Sequence, residues 1–262
     1  MKRLTFALAL AVPLVVLAAD KPKAAADKPT GGVDWEGQII KATGSGAPDM
    51  KAANPAQARL GAEKAAKMDA FRNLLEQVRG IQVSSGKTVG DVMGQKEELR
   101  GRVEGLIRGF KVTAKRYYSD SGVELDVEVP LSAISSAVNA PAVSGAASLN
   151  TSGDAENTGL VVDARGLEVT PVLSPRLLAE DGKAVYSADC LSETARKSQG
   201  VASYFNDFDD AQKSALVGDK PLVVKASRVN GSDIVLSSDD LKKVAQANNA
   251  YLAEGRVAIV TN

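Results

Sequence analysis

The sequence predicts an α+β fold: two small domains, each an antiparallel sheet packed by helices, behind a cleaved signal peptide. Three observations predict it. The 262-residue chain breaks from Asn139 to Gly159, where Ala, Ser, Gly and Asn dominate and large apolar side chains are almost absent. That stretch reads as a linker. Each flank, 33–138 and 160–262, has about 100 residues, enough for its own modest core. Within each flank, period-two strands and period-3.6 helices are mixed with short hairpin turns.

The first twenty residues predict export. Lys2 and Arg3 precede an apolar run, Leu4 to Leu17, which is followed by Ala18-Ala19-Asp20. A basic start, an apolar core and a small-residue exit make a signal peptide over 1–18, cleaved after Ala18. The run is shorter than the roughly 20 residues that a membrane span needs. No cysteine lies near the cleavage region, so no direct lipid anchor is expected there. Residues 19–32 are charged and rich in Pro and Gly, and read as a flexible leader.

In the first domain Val33, Trp35 and Ile39 fall on odd positions, as in a half-buried strand. Thr43-Gly-Ser-Gly-Ala-Pro48 is expected to end it in a turn. Asn54-Pro55 then starts a helix, with Asn54 as N-cap, Pro55 at the first helical position and Gln57 placed for a capping box. Met68, Phe71, Leu75 and Val78 give it an apolar face, and Gly80 is placed to end it in a left-handed conformation. A second helix is expected near Lys96–Arg108, with Leu99, Val103, Leu106 and Ile107 as its stripe. Phe110 to Lys115 and Val123 to Val129 alternate apolar with charged residues around Ser119-Asp-Ser-Gly122, which reads as a β-hairpin. Its basic and acidic rows are placed to pair across strands. Leu131–Val138 closes the domain as a short helix.

The second domain opens on a strand, Leu160-Val-Val-Asp-Ala164. Glu180-Asp181-Gly182, between Arg176–Ala179 and Lys183–Tyr186, is a hairpin turn. A helix starts near Asp207, and Pro221–Val229 reads as a strand. Asn230-Gly231 signals a second hairpin, returning through Asp233–Leu236. Ser238 is read as the cap of a helix reaching Leu252, and Arg256–Val260 makes the last strand.

Composition narrows the chemistry. The whole chain is formally neutral, and losing Lys2 and Arg3 leaves the mature chain near −2. Without a basic excess, nucleic acid is a poor partner. Aromatic residues are scarce and Trp35 is the single tryptophan, which argues against an aromatic-lined sugar or base platform. The chain has no histidine, so Ser-His-Asp and Cys-His catalysis and histidine zinc sites are excluded. With one cysteine, thiolate zinc clusters are excluded too. Cys190 has no internal disulfide partner; it is either buried or free to pair between chains.

Several constellations that could carry chemistry have simpler roles. Thr43-Gly-Ser-Gly-Ala-Pro48 lacks the spacing and Lys-Ser/Thr of a P-loop. Asp207, Asp209 and Asp210 lack the glycine and glutamate of a calcium loop; with Asp239 and Asp240 they are expected to cap helix starts. Asp163, Glu168, Glu180 and Asp181 have no spacing that selects a catalytic pair. Arg100, Arg102, Arg108, Lys111, Lys115 and Arg116 offer a dock for an acidic partner or peptidoglycan, but the interspersed Glu97, Glu98 and Glu104 make a solvated face the simpler reading. Trp35 alternates with Val33 and Ile39 and is read as core. No catalytic, cofactor or metal residue is expected.

The block Trp35-Glu-Gly-Gln-Ile-Ile-Lys-Ala-Thr-Gly-Ser-Gly-Ala-Pro48, the helix Asn54-Pro-Ala-Gln-Ala-Arg-Leu-Gly-Ala-Glu-Lys, Arg108-Gly-Phe110 and the hairpin ending Val127-Glu-Val-Pro-Leu131 together resemble the Lpp-twenty family of bacterial envelope lipoproteins. Its domain also opens the flagellar proteins FlgP and FlgT. The resemblance covers about 33–135. It implies a non-enzymatic module in the periplasm or at the outer membrane. In flagellated bacteria such modules build rings or disks around the basal body. The expected partners are further copies of the chain and other envelope or flagellar proteins. The sequence departs from the family in lacking the lipid-bearing cysteine, so attachment would come through partners. The second domain looks like the partner domain that often follows this block in envelope proteins. The alternative is a periplasmic adaptor or ligand-binding module for peptidoglycan or an outer-membrane partner. A hydrolase using carboxylates alone is the third reading.

Overall fold

The computed structural model describes residues 31–139, 149 and 156–261. The expected signal peptide, nearly all of the leader and most of the linker lie outside the described residues. The architecture is α+β, with a four-stranded sheet, a seven-stranded sheet and a small two-stranded one, and core clusters packed on the two larger sheets.

In the first domain β1 (Gly32–Asp34) and β2 (Ile39–Gly46) pair antiparallel. The single strand expected from Val33 is therefore two strands around a turn at residues 35–38. Asp34 Oδ1 accepts the Gly37 N–H at 2.8 Å, and Gln38 adopts a left-handed φ of 54°, so the chain reverses there. β2 also continues through Thr43–Gly46, where the sequence reading placed a turn. A helix, α1 (Pro55–Gly80), lies directly on those glycines.

The start of α1 is as expected: the Asn54 side chain accepts the Gln57 N–H at 2.9 Å. Of its expected apolar face only Val78 is fully buried. Ala62, Ala66, Ala70, Leu74 and Val78 are buried, while Met68 is 56% exposed and Phe71 and Leu75 are only partly buried. A Cβ on Gly44 would stand 2.2 Å from the Ala70 nitrogen, and one on Gly46 1.9 Å from the Ala62 oxygen. Helix and strand backbones approach too closely for anything larger than alanine, and the large side chains are displaced to the flanks. Gly80 takes no positive φ; the helix ends in an extended Ile81.

A short hairpin of β3 (Gln82–Ser84) and β4 (Lys87–Thr88) leads into α2 (Val89–Gln95), opened by a capping box of Thr88 and Asp91. None of these three elements is expected from the sequence. Next, α3 (Glu97–Arg108) buries Leu99, Val103 and Ile107 and leaves Leu106 at its rim. The predicted hairpin is β5 (Lys111–Tyr117) with β6 (Val123–Pro130), and α4 (Leu131–Val138) follows it. The charged rows pair across it: Lys111 meets Glu128 at 2.9 Å, and Arg116 reaches both Glu124 and Asp126 at 2.5 Å. The strand order is β1-β2-β6-β5.

The second sheet holds β7 (Gly159–Asp163), β8 (Arg176–Leu178), β9 (Ala184–Tyr186), β10 (Ser203–Phe205), β11 (Pro221–Asn230), β12 (Asp233–Leu236) and β13 (Val257–Val260). Both predicted hairpins form, β8–β9 and β11–β12. The sheet is nevertheless mixed and not the antiparallel one expected: its order is β10-β13-β7-β11-β12-β8-β9, and β7 is flanked by parallel partners on both sides. Parallel neighbours need crossovers, here carrying α5 (Glu193–Ser198) and α6 (Phe208–Lys213). They also need strands apolar on both faces. Leu160, Val162 and Ile259 fill one core; Val161, Ala258 and Val260 fill a second one with Ala211 of α6 and Val217. The α5 helix and β10 were not expected from the sequence.

The last helix is capped one residue earlier than expected, by Ser237, and ends sooner: α7 (Ser238–Gln246) is followed by a separate α8 (Ala250–Ala253). Buried Asn249 breaks it, donating to the Val244 carbonyl at 2.9 Å and accepting from the Tyr251 hydroxyl at 3.2 Å. Among the described residues no helix is long and apolar enough to cross a membrane.

Asp240, only 8% exposed, is the acid most embedded in this second domain. Burial pushes its pKa up. Hydrogen bonds from Lys243, the Lys225 N–H and the Ser237 hydroxyl more than offset this, and the net shift is down. A depressed folded-state pKa stabilises above the unfolded value, about 3.9, and that stabilisation is lost as pH falls through the folded value. Asp240→Asn is expected to cost about 1–3 kcal/mol at pH 7. In urea titrations the gap to the unaltered protein should be constant from pH 7 to 5 and shrink below pH ~4. A gap independent of pH would remove Asp240 from the acid transition.

Candidate functional site at the domain junction

The two domains meet on a strap, residues 164–175, that runs from β7 to β8. It carries Leu167, Val169, Val172 and Leu173 without forming a helix or strand. Leu173 leaves its own domain and packs into the core of the first. Its N–H donates to the Gln82 carbonyl at 2.9 Å, and the next N–H, of Ser174, donates to the Val83 carbonyl at 3.0 Å. The Ser174 hydroxyl reaches Asn139 Oδ1 at 2.5 Å. The neighbouring Val172 is held from its own side, where the Tyr204 hydroxyl accepts its N–H at 3.1 Å and donates to its carbonyl at 3.2 Å. Tyr204 is fully buried, and burial pushes its pKa up.

Trp35 lies in the same junction. The tight β1–β2 turn sets it there, with Gln38 Nε2 donating to its carbonyl at 2.7 Å. Its ring meets that of Tyr204 edge to face, with centroids 5.5 Å apart and planes at 77°, a favoured aromatic geometry. It packs against both cores. A second contact closes the other end: the Ser85 N–H donates to the Ser232 hydroxyl at 2.8 Å. Gly231, at φ 64°, makes room there, since a Cβ would come 2.5 Å from the Ser85 hydroxyl.

Beside Trp35 the junction leaves a cleft of about 290 Å³. Val33, Trp35, Gln77, Ile81 and Gln82 of the first domain and Pro171 of the strap line it, with Gly32 and Gly80 adding bare backbone. None of these residues is charged. The Gln77 Oε1 is buried and accepts no hydrogen bond. A larger cavity of about 440 Å³ opens between α3 and α4, where Glu97 and Glu98 face Lys96 and Arg102.

The residues weighed from sequence fall elsewhere, mostly into local structure. Asp207 caps α6 by accepting the Asp210 N–H at 3.0 Å. Asp163 is held below the usual carboxylate range by two-toothed hydrogen bonds from Arg165, which also lies 4.5 Å over the Phe208 ring. The Arg165 guanidinium is raised first by Asp163 and further by Asp207 and Asp209. Asp209 also pairs with Lys213 at 3.6 Å. Glu180 accepts from Ser238, and Asp181 accepts the Lys183 N–H in its turn. Glu168 is exposed. Arg100 pairs within α3 with Glu97 and Glu104, and Lys115 crosses to Glu63 of α1 at 2.8 Å. Cys190 is buried, and burial pushes its thiol pKa up. Among the described residues no three carboxylate or cysteine side chains gather as metal ligands do.

Sequence reasoning placed Trp35 in the core but did not see the junction. One signal was present. Residues 164–175 form a twelve-residue connection with four large apolar side chains and two prolines. A connection that long without structure of its own is commonly a functional one.

The molecule is thus a two-domain α+β protein whose second sheet clasps the first domain through a strap. Residues 159–262 match the family model described as the second domain of Treponema pallidum Tp0624. The match spans β7 to β13, so the second domain is similar to that domain, and the first lies outside the match. No curated protein matches the chain.

Proposed function

We propose that this chain is an exported, non-enzymatic structural or assembly protein of the bacterial cell envelope, working in the periplasm as part of a basal-body ring or disk of the flagellum. The observation that carries this reading is the clasp between the domains. Leu173, Ser174, Trp35 with Tyr204, and Ser85 with Ser232 fix one domain on the other. A subunit that transmits position to its neighbours needs such a fixed angle between its parts. The signal-peptide pattern, the absence of histidine and the resemblance of residues 33–135 support the same reading. Exposed Leu60 and Met68 on α1, with Tyr117 and Tyr118 at the hairpin tip, offer contact area to a neighbouring copy.

Light scattering on the mature protein, residues 19–262, with electron micrographs of the same sample, tests it. The expected result is a defined ring or filament of many subunits. A clean monomer at high concentration would count against self-assembly. The second reading is an adaptor that binds peptidoglycan or an outer-membrane partner. The uncharged cleft at the domain junction, with walls from both domains, favours it.

A further inference from the structure

We infer that the outer face of α1 in one copy docks on the α6 side of the second domain in the next copy, so that the chain assembles head to tail. Such a contact deepens the assembly reading of this protein and rests on it.

Among the described residues every exposed large apolar side chain belongs to the first domain, and two of them, Leu60 and Met68, stand on α1 at 62% and 56% exposure. They alternate with exposed Lys64 and Arg72 at four-residue steps, opposite the buried Ala62, Ala66 and Ala70. Arg59 and Lys67 flank the row, and Arg59 lies 5.6 Å over the Tyr117 ring, which joins the hairpin tip to the patch. The acids of this stretch are already engaged. Glu63 is taken by Lys67 and Lys115 at 3.2 and 2.8 Å, and Asp69 accepts the Ser45 N–H at 3.0 Å. The face is therefore apolar and basic, and it pairs poorly with itself. Laid antiparallel on a second copy, a Met68–Met68 register sets Lys64 against Arg72, and a Leu60–Met68 register sets Lys64 against Lys64. Like charges opposed across an interface are costly. A face that rejects its own copy needs a different surface on the neighbour, and a heterologous contact of that kind closes a ring or runs on as a filament.

The α6 side of the second domain supplies the complement. One face of the second sheet is covered by α5, α7 and α8. The other carries Val161, Ala258 and Val260 under the Val217 loop and α6, a helix of six residues. Phe208, Leu216 and Val223 at the border of this smaller core are only partly buried, so apolar surface is left there for a partner. Asp207, Asp209 and Asp210, all exposed, adjoin Phe208 in the chain. The nearby cations are occupied: Arg165 by Asp163, and Lys213 by Asp209. Asp210 has no ion-pair partner among the described residues. A basic row holding two apolar side chains thus faces acidic side chains beside a half-covered apolar border. Opposite charges steer such an encounter and fix its register. A helix supplied by the neighbour also extends the layer that six residues leave short.

Sedimentation velocity on the mature protein tests the contact, beside two charge-reversed variants: Lys64→Glu with Arg72→Glu, and Asp209→Lys with Asp210→Lys. All four positions are exposed, and both variants should keep the far-UV spectrum of the unaltered protein. The unaltered protein should assemble, and less so as salt rises. Either variant alone sets like charges face to face and should associate at least roughly tenfold more weakly. Mixed in equal amounts, the two variants restore opposite charges at every contact, and large assemblies should return. Lys183→Glu with Lys242→Glu, at exposed positions outside both patches, should assemble as the unaltered protein does. Should the α6 variant fold poorly, Leu60→Ser with Met68→Ser, both exposed, carries the test; unchanged assembly there overturns the contact. Assembly that ignores either reversal, or that does not recover on mixing, overturns the contact and leaves the assembly reading standing through another surface. Binding to phosphatidylglycerol vesicles that is lost in the Lys64 and Arg72 variant while assembly stays intact overturns it as well, and gives the face to lipid. An unaltered protein that remains monomeric ends both.

Discussion

Gly46→Ala is expected to destabilise the first domain by more than about 3 kcal/mol, enough to unfold it under many conditions. The added Cβ would lie 1.9 Å from the Ala62 carbonyl oxygen and 2.7 Å from the Ala66 nitrogen. Both are backbone atoms of α1, so no side chain can swing aside; the helix as a whole must lift from β2. Lifting it also opens the contacts of Ala62, Ala66 and Ala70, each fully buried. Gly61→Ala, on the outer face of the same helix, is the control. A Cβ there meets nothing within 4 Å, and alanine favours the helix by roughly 0.5–1 kcal/mol. Identical chemistry fifteen residues apart should therefore give opposite signs in urea unfolding. A loss below 1 kcal/mol at Gly46 would mean that the helix does not sit on the strand as described.

Leu173→Ala is expected to cost about 2–5 kcal/mol, although the residue lies in a connection without regular structure. Leu173 is 3% exposed and belongs to the core of the other domain. Its removal leaves a cavity in the first domain and loosens the strap in the second. Leu173→Asp should go further, because a carboxylate has no partner in that core. The strap would then release, and Trp35 emission and far-UV circular dichroism, expected to coincide in the unaltered protein, should follow separate transitions. A Leu173→Ala protein that unfolds at an unchanged urea concentration would remove the strap as the clasp between the domains.

The hairpin from Lys111 to Pro130 was legible, because β6 alternates apolar with charged residues and buries one face; the register shift between Val112 and Ala114 in its partner strand was not. The existence of α1 was legible from its alanine, leucine and glutamate content and from Asn54-Pro55. Its buried face was not. Large apolar side chains were read as the core stripe, yet the partner surface at Gly44 and Gly46 admits only alanine, and those glycines looked like a turn. The second sheet was misread for a related reason. Leu160-Val-Val and Val257-Ala-Ile-Val carry no alternation that tells a parallel from an antiparallel neighbour. The cleft was least legible: Trp35, Gln77 and Pro171 are far apart in the chain, and nothing in their local sequence connects them.

The sequence by itself determined the α+β class, most of the helices and hairpins, and several of the caps, because these depend on residues within a few positions of one another. Tertiary structure alone decided which face of α1 is buried, that the second sheet is mixed, and that the strap crosses into the first domain. It also decided that the Gln77 carbonyl oxygen is buried without a partner beside Trp35. These outcomes depend on how closely two backbones can approach and on which polar groups find partners, and both are settled only between segments distant in the chain.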